Sequence, residues 1–289
     1  MKRAVIVGAG QMGHAARKLL NPNEIEFLGF ADNDARKWTK GKTSKGEAEV
    51  FSVQDAVDMT PDVIIISVLG DERARQLKEQ IRICRFYGEI LYLNDLHKVF
   101  DIRSRCIAEI AERVNGVEGA IAELGVYKGD TAARLNMMFP ERPLYLFDTF
   151  EGFDEADVAV ERAEEFSHAK AGDFSDTSAE AVIRRMPFPD KCIIKKGWFP
   201  ETVKGLEHVK FAFVSIDPDL YGPALAGLEF FYSKLNKGGV IVMHDYNNTQ
   251  FSGIKRAVSE FEKRLTDAGA DPLSMVPLGD LHGSCVIIK

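Results

Sequence analysis

The sequence predicts an α/β protein of two domains, on three observations. A glycine-rich turn follows an apolar strand twice, at Gly8-Ala-Gly-Gln-Met-Gly13 and at Gly125-Val-Tyr-Lys-Gly129. About twenty residues beyond each turn, a second apolar run ends in an aspartate, Asp32 and Asp148. Further on, the runs Phe211 to Ile216 and Val240 to Met243 flank a stretch with apolar residues at helical spacing, the strand, helix, strand order of a parallel sheet. At 289 residues and 45% hydrophobic content the chain is long enough for two cores.

The first domain is read over residues 1–95. An apolar strand from Arg3 to Val7 runs into Gly8-x-Gly10-x-x-Gly13, which opens a helix, and Ile25 to Ala31 then leads to Asp32. In this dinucleotide fingerprint the glycines permit a tight turn and close approach of backbone to phosphate, while the acid accepts ribose hydroxyls. The reading is a Rossmann-like domain with Gly8, Gly10, Gly13 and Asp32 as its nucleotide site. A basic turn through Lys45, a strand from Val63 to Val68, a helix near Glu72 to Cys84 and a strand from Ile90 to Leu93 complete it. Taken alone, the fingerprint points to an NAD-dependent oxidoreductase, but a unit of roughly 95 residues leaves no room for a separate dehydrogenase catalytic domain. It also resembles the small nucleotide-binding domains fused to sugar-modifying enzymes of surface-polysaccharide synthesis, which would place a nucleotide sugar there. NAD, a nucleotide sugar, and a degenerate domain that only packs or dimerises all stay open.

Residues 96–115 read as one linking helix, because Ile102, Cys106, Ile110 and Val114 recur every four residues. The second domain, 116–289, begins with the strand Ala120 to Leu124, which carries Glu123, followed by Gly125, Gly129 and a helix near Thr131. Leu144 to Asp148 is the next strand. Residues 151–178 are polar and lack a clear strand, which suggests a lid. Phe150, Phe153, Phe166 and Phe174 either face a ligand from it or pin it to the body, and His168 in it reads as solvated. Cys192 to Lys196 forms a strand whose tip offers Gly197 and Trp198, which border an adenine or pack in the core. Phe211 to Ile216 and Val240 to Met243 end in Asp217 and in His244-Asp245-Tyr246. Parallel strands bring these tips to one carboxyl edge, where open α/β folds bind ligands. With Asp148 beyond the second glycine turn, an adenosine-type ligand is expected. Leu273 to Pro277 and Ser284 to Ile288 flank Leu278-Gly-Asp-Leu-His-Gly283 like a hairpin.

Six blocks carry a resemblance to a known family: Glu123-Leu-Gly-Val-Tyr-Lys-Gly129, Phe147-Asp-Thr-Phe-Glu-Gly-Phe153, Phe174-Ser-Asp-Thr-Ser178, Gly197-Trp-Phe-Pro-Glu-Thr202, Asp217-Pro-Asp-Leu-Tyr221, and the Gly-Gly strand ending in Asp245-Tyr246. Residues 105–289 resemble the macrocin-type O-methyltransferases, S-adenosylmethionine-dependent enzymes that methylate sugar hydroxyls. The resemblance implies a seven-stranded class I methyltransferase fold with the methyl donor over the glycine turn and a divalent cation at acidic strand ends. By position, Glu123, Gly125 and Gly129 would line the methionine and ribose, and Asp148 would hold the ribose hydroxyls. Asp217 would lie where donor and metal meet, with Asp245 a second metal carboxylate. His244 departs from the family, which usually has Asp-Asp-Tyr where this chain has His-Asp-Tyr. Magnesium prefers hard oxygen ligands while imidazole suits transition metals. Three readings follow: a softer cation on Asp217, His244 and Asp245; a weakened magnesium site; or no metal, with His244 as general base. A fourth has His244 merely closing its strand.

The expected function is methyl transfer from S-adenosylmethionine to a hydroxyl of a small-molecule acceptor, a sugar or glycosylated metabolite. The alternatives are an NAD-dependent oxidoreductase and a non-catalytic nucleotide-binding protein. A net charge of −7 argues against nonspecific nucleic-acid binding. No apolar run reaches 18 residues, and Met1-Lys-Arg begins a strand directly, so neither membrane span nor signal peptide is expected. The scattered Cys84, Cys106, Cys192 and Cys285 read as reduced thiols. A cytoplasmic protein is expected, with homo-oligomerisation left open.

Overall fold

A computed structural model describes residues 1–39 and 48–289. The basic turn expected through Lys45 lies outside the described residues. The chain divides into two compact units, Met1–Ile102 and Arg103–Lys289.

In the first unit, β1 (Lys2–Val7), α1 (Gln11–Leu19), β2 (Ile25–Ala31), β3 (Val50–Phe51), α2 (Val53–Asp58), β4 (Val63–Ile66), α3 (Asp71–Ile83), β5 (Glu89–Tyr92) and α4 (Leu93–Val99) follow one another. The sheet order is β3-β2-β1-β4-β5, every pairing parallel. Its central strands are apolar without alternation because both faces are covered. Val5, Val7, Ile64 and Ile66 enter one core cluster, and Ala4, Ile6, Val63 and Ile65 enter another.

The single helix expected over 96–115 is two helices. Phe100 leaves helical geometry (φ −123°, ψ 100°) and ends α4, and α5 (Ile102–Val114) starts beyond Asp101, a residue type favoured at helix N-caps. The buried stripe of α5 is Ile107, Ala111 and Val114; of the expected face only Val114 is buried, while Ile102, Cys106 and Ile110 are partly exposed.

The second unit continues with β6 (Ala120–Leu124), α6 (Asp130–Met138), β7 (Leu144–Asp148), α7 (Glu155–Ala163), α8 (Ala179–Ile183), β8 (Cys192–Lys196), β9 (Phe211–Ile216), α9 (Tyr221–Lys234), β10 (Leu235–Met243), α10 (Gly253–Asp267), β11 (Ser274–Pro277) and β12 (Cys285–Ile288). The sheet order is β11-β12-β10-β9-β6-β7-β8. Strands β6 to β10 pair in parallel, while β12 runs antiparallel to both β10 and β11. Chain order runs outward from β6 through β7 and β8 on one side, and from β9 through β10 on the other. A crevice therefore opens above the β6/β9 junction, the switch point where α/β sheets bind ligands. Every residue of β6 and β9 is buried, which holds that junction rigidly.

Residues 151–178, expected as a lid, carry α7, bury only Val158, Glu161 and Ala169, and are otherwise mostly exposed. Asp154 caps α7 by accepting from the Ala156 amide, and Val158 and Glu161 bury one face of that helix. Phe150 is core, Phe166 packs on Tyr221 with ring centroids 5.2 Å apart, and His168 is exposed. Among the described residues all four cysteines are free, and no helix is long and apolar enough to cross a membrane.

Candidate active site at the carboxyl edge of the second sheet

A cavity of about 340 Å³ opens above the switch point. The tips of β6, β7, β8, β9 and β10 deliver Glu123, Asp148, Gly197, Asp217 and His244 to its lining.

The glycine turn is the most constrained piece. Gly125 has φ +84°, and a Cβ there would lie 2.1 Å from the Asp217 carbonyl oxygen. Only glycine lets the exit of β6 lie against the exit of β9, where the Asp217 amide donates to the Leu124 carbonyl at 2.8 Å. Gly129 (φ +81°) then starts α6. Asp148, expected to hold ribose hydroxyls, borders the cavity but first holds this turn. Its Oδ2 accepts from the amides of Val126 (2.7 Å) and Tyr127 (2.9 Å), and its Oδ1 from Phe150 (2.6 Å). Asp32 does the same in the first unit, accepting from the amides of Ala9 and Asp34, both at 2.9 Å, and from Lys37 Nζ at 2.9 Å. There Gly13 is the position that admits no Cβ, since one would lie 2.0 Å from the Gly8 carbonyl oxygen. Gly8 (φ +107°) and Asp32 line a cavity of about 220 Å³ with Arg73 and Gln80, whereas a Cβ on Gly10 would meet open space.

At the β9 and β10 tips the expected residues converge. His244 Nδ1 lies 2.7 Å from Asp217 Oδ1 and 3.1 Å from Asp245 Oδ2, and Arg103 Nη2 lies 3.0 Å from Asp217 Oδ2. Burial disfavours charge on the imidazole, but the facing Asp217 carboxylate outweighs it and pushes His244 up to about 10. Asp217 responds in the opposite sense. Burial would raise it, yet His244 and Arg103 together hold it well below the usual carboxylate range. Glu123 is raised well above its ordinary value, by burial first and then by Asp217.

Three participants escaped the sequence reading. Arg103 lies four residues before Ile107 on the buried stripe of α5, and a cation in phase with that stripe was the available signal. Asp219, two residues after Asp217, borders the cavity and is raised well above the carboxylate range by burial, then by Asp217 and Asp245. His282, in the loop between β11 and β12, has its ring centroid 5.2 Å from that of His244. The register Met243 opposite Cys285 sets that loop beside the residues following β10. Asp219 (φ 61°) and Asp245 (φ 56°) both have left-handed backbones, a conformation found disproportionately at functional sites.

The donor atoms form two overlapping sets, Asp217, Asp219 and Asp245 in one and His244, Asp245 and His282 in the other, each with its atoms within 4.8 Å of one another. Both ring nitrogens of His244 are buried and neither has an aligned hydrogen-bond partner despite the close carboxylates. An oxygen-rich pocket beside the His244 ring nitrogens fits a divalent cation.

On the far side of the cavity, Trp198 donates from Nε1 to Asp157 Oδ2 at 2.8 Å, tying the β8 tip to α7, and Gly197 (φ +136°) makes the turn into it. Phe174 packs edge-on against Tyr127 and against Phe153, with centroids 5.1 and 5.2 Å apart. Tyr127 and Lys128 of the glycine turn reach Asp176 at 2.7 and 2.5 Å.

This fold, with a ligand crevice bounded by a glycine turn and acidic strand tips, is of the class I O-methyltransferase kind. The O-methyltransferase NovP superposes with a TM-score of 0.51 at 22% identity over 65% of this chain and 79% of that one. The calicheamicin methyltransferase CalS11 does so with a TM-score of 0.51 at 22% identity over 64% and 78%. Sequence then places the chain in a family. It belongs to the macrocin-O-methyltransferase (TylF) family, whose model matches residues 98–276. A relative from Streptomyces olivaceus, 8-demethyl-8-(2,3-dimethoxy-alpha-L-rhamnosyl)-tetracenomycin-C 4'-O-methyltransferase, is 25% identical over 173 residues, 56% of this chain. The chain spans 64% of that relative's length.

Proposed function

We propose that the protein transfers the methyl group of S-adenosylmethionine to a hydroxyl oxygen of a sugar or glycosylated small molecule, with a divalent cation at the acidic edge. The observation that carries this reading is the shared cavity: the glycine turn, Glu123 and Asp148 border it on one side, and Asp217, Asp219 and His244 on the other. The sugar acceptor is supported by the rhamnosyl substrate in the name of the Streptomyces olivaceus relative.

Methyl transfer is an in-line displacement, so the site must align hydroxyl, methyl and sulfur and take up the hydroxyl proton. Alignment of this kind contributes on the order of 7 kcal/mol or more of barrier lowering. Gly125 and Asp148 fix the turn on which the donor rests, and the Trp198–Asp157 contact walls the cavity on the side of α7. A divalent cation at the acidic edge would supply Lewis acidity that makes the acceptor hydroxyl easier to deprotonate. The facing Asp217 carboxylate pushes His244 up to about 10, which makes it a poor base in the absence of a cation. Burial, and then Asp217, raise Glu123 well above its ordinary value, which favours its protonated form as a donor toward a bound ligand.

In the first unit, the Gly8-to-Gly13 turn is the proposed seat of a second nucleotide, NAD or a nucleotide sugar. The close packing at Gly13 supports that use of the turn, whereas Lys37 already pairs with the acid that would meet a ribose. Thermal shifts of the whole chain with S-adenosylhomocysteine, NAD and a UDP-sugar separate the readings. Adenosylhomocysteine is expected to stabilise the protein. A shift with NAD and none with adenosylhomocysteine would replace the methyltransferase reading by the oxidoreductase one. Turnover is checked by a gain of 14 daltons on rhamnosylated acceptors, lost in Asp217→Asn and Asp245→Asn.

A further inference from the structure

The family resemblance marks His244 as a departure, and His282 turns that departure into a pattern. Together with Asp245 they bring two imidazoles and one carboxylate to one corner of the cavity edge, the ligand complement used by zinc, manganese and iron rather than by magnesium. On this basis we propose that the cation site invoked above is a transition-metal site, held by His244, Asp245 and His282, with His282 supplied by the hairpin loop near the C-terminus. The proposal rests on the reading of a cation-assisted methyltransferase and specifies its metal and ligands.

Four observations support it. The three donor atoms lie within 4.8 Å of one another, and two donors each about 2.1 Å from one ion lie no more than about 4.2 Å apart, so the set closes with sub-ångström movement. Both ring nitrogens of His244 are buried without an aligned hydrogen-bond partner, although Nδ1 lies 2.7 Å from Asp217 Oδ1, and coordination of an ion would satisfy one of them. Asp217, the carboxylate a magnesium site would use first, is already paired with the Arg103 guanidinium at 3.0 Å. That leaves Asp245 as the carboxylate common to both donor sets and shifts the site toward the imidazoles.

The loop that presents His282 is fastened on both sides. Asp280, itself buried, accepts from the Ser284 amide at 2.8 Å and from its hydroxyl at 2.7 Å. The Gly283 carbonyl accepts from the Asn247 amide at 2.9 Å, joining the loop to the turn that carries Asp245. A Cβ on Gly283 would lie 2.9 Å from Asn247 Cβ, so glycine is what allows this closeness. The position of His282 is thereby built into the fold.

The test uses full-length protein stripped with a chelator, then titrated separately with Co(II), Zn(II) and Mg(II) by calorimetry, with the visible absorbance of Co(II) as an independent readout of imidazole ligation. Co(II) and Zn(II) are expected to bind at one equivalent and more tightly than Mg(II). His282→Ala should weaken Co(II) binding by at least about tenfold, since loss of even an outer-sphere partner weakens a metal site that much. His282→Gln serves where the alanine variant melts early. His244→Asp, which restores three adjacent carboxylates, should shift preference toward Mg(II). Unchanged Co(II) affinity and spectrum in both His282 variants, or Mg(II) binding as tight as Zn(II) in the wild type, would overturn the proposal. Adenosylhomocysteine affinity of the metal-free wild type is measured in parallel. Co(II) binding without it removes the methyl-donor reading and leaves this site standing, and the converse result removes this site alone.

Discussion

Gly125→Ala is the substitution whose effect can be worked from the structure most completely. At φ +84° an alanine pays the left-handed penalty of about 1–2 kcal/mol. Its Cβ would also lie 2.1 Å from the Asp217 carbonyl oxygen, a backbone atom between two fully buried strands that has no rotamer to escape into. Forcing a methyl group into such a contact costs a further ~1–3 kcal/mol. The expected loss is then about 2–5 kcal/mol, which for a unit of this size lowers Tm by about 4–20 °C. Gly205→Ala is the matched control, because Gly205 has the same φ of +84° and a Cβ there would meet nothing within 4 Å. Only the conformational penalty acts at that position. Differential scanning calorimetry of the two variants isolates the contact with Asp217, and adenosylhomocysteine affinity should fall in Gly125→Ala as the β6 and β9 tips separate. Equal Tm shifts in the two variants would refute the claim that close packing, and not backbone conformation alone, demands this glycine.

Other outcomes follow from the same geometry. Arg103→Met should destabilise in denaturant titrations by less than the ~3–5 kcal/mol of a fully stranded buried charge, because His244 still pairs with the Asp217 carboxylate. Asp148→Ala removes the acceptor of three backbone amides, each such charge-assisted bond contributing about 1.5–3 kcal/mol, so both stability and adenosylhomocysteine affinity should drop in a combined melting and calorimetric assay. The stability of metal-free protein should depend on pH at both ends. His244, raised from 6.5 to about 10, contributes stability that is complete below pH 6.5 and lost as pH climbs toward 10. Asp217, depressed, contributes stability that is present above the ordinary carboxylate range and lost as pH falls beneath it. His244→Asn should flatten the alkaline limb of a Tm-against-pH curve and leave the acid limb less steep. Gly13→Ala should destabilise the first unit by about 1–3 kcal/mol, read by hydrogen exchange of its strands.

The central strands were legible because burial on both faces writes itself as unbroken apolar runs, and the edge strand Cys192 to Lys196 because it opens on a short apolar run. Phe211 to Ile216, Leu144 to Asp148 and Cys192 to Lys196 end where the sequence placed their ends. Their tips were legible for the same reason, since a polar residue after such a run lands on the sheet edge. What escaped was delivered by tertiary packing. On α5 the expected face took Cys106 and Ile110 where Ile107 and Ala111 are buried, because small and apolar residues at all four positions leave the face ambiguous, and Arg103 was overlooked with it. The 151–178 segment hid α7 behind its charges, since Val158 and Glu161 are the positions it buries and one of them is an acid. That acid caps a neighbour, Glu161 Oε1 accepting from the Tyr221 amide at 2.7 Å at the start of α9. His282 was in view within the hairpin loop, but its significance depends on β12 lying antiparallel to β10, a pairing that no local pattern announces.

The left-handed backbones at Asp219 and Asp245 bear on how this protein would respond to selection for heat resistance. Glycine adopts that conformation without penalty, so Asp→Gly at either position relieves on the order of 1 kcal/mol of strain and thins a crowd of like charges. A library screened by melting temperature alone would therefore drift toward losing these two carboxylates. Its winners would be sturdier proteins with no chemistry left at the sheet edge, and only a screen that scores turnover alongside melting would keep the aspartates in place.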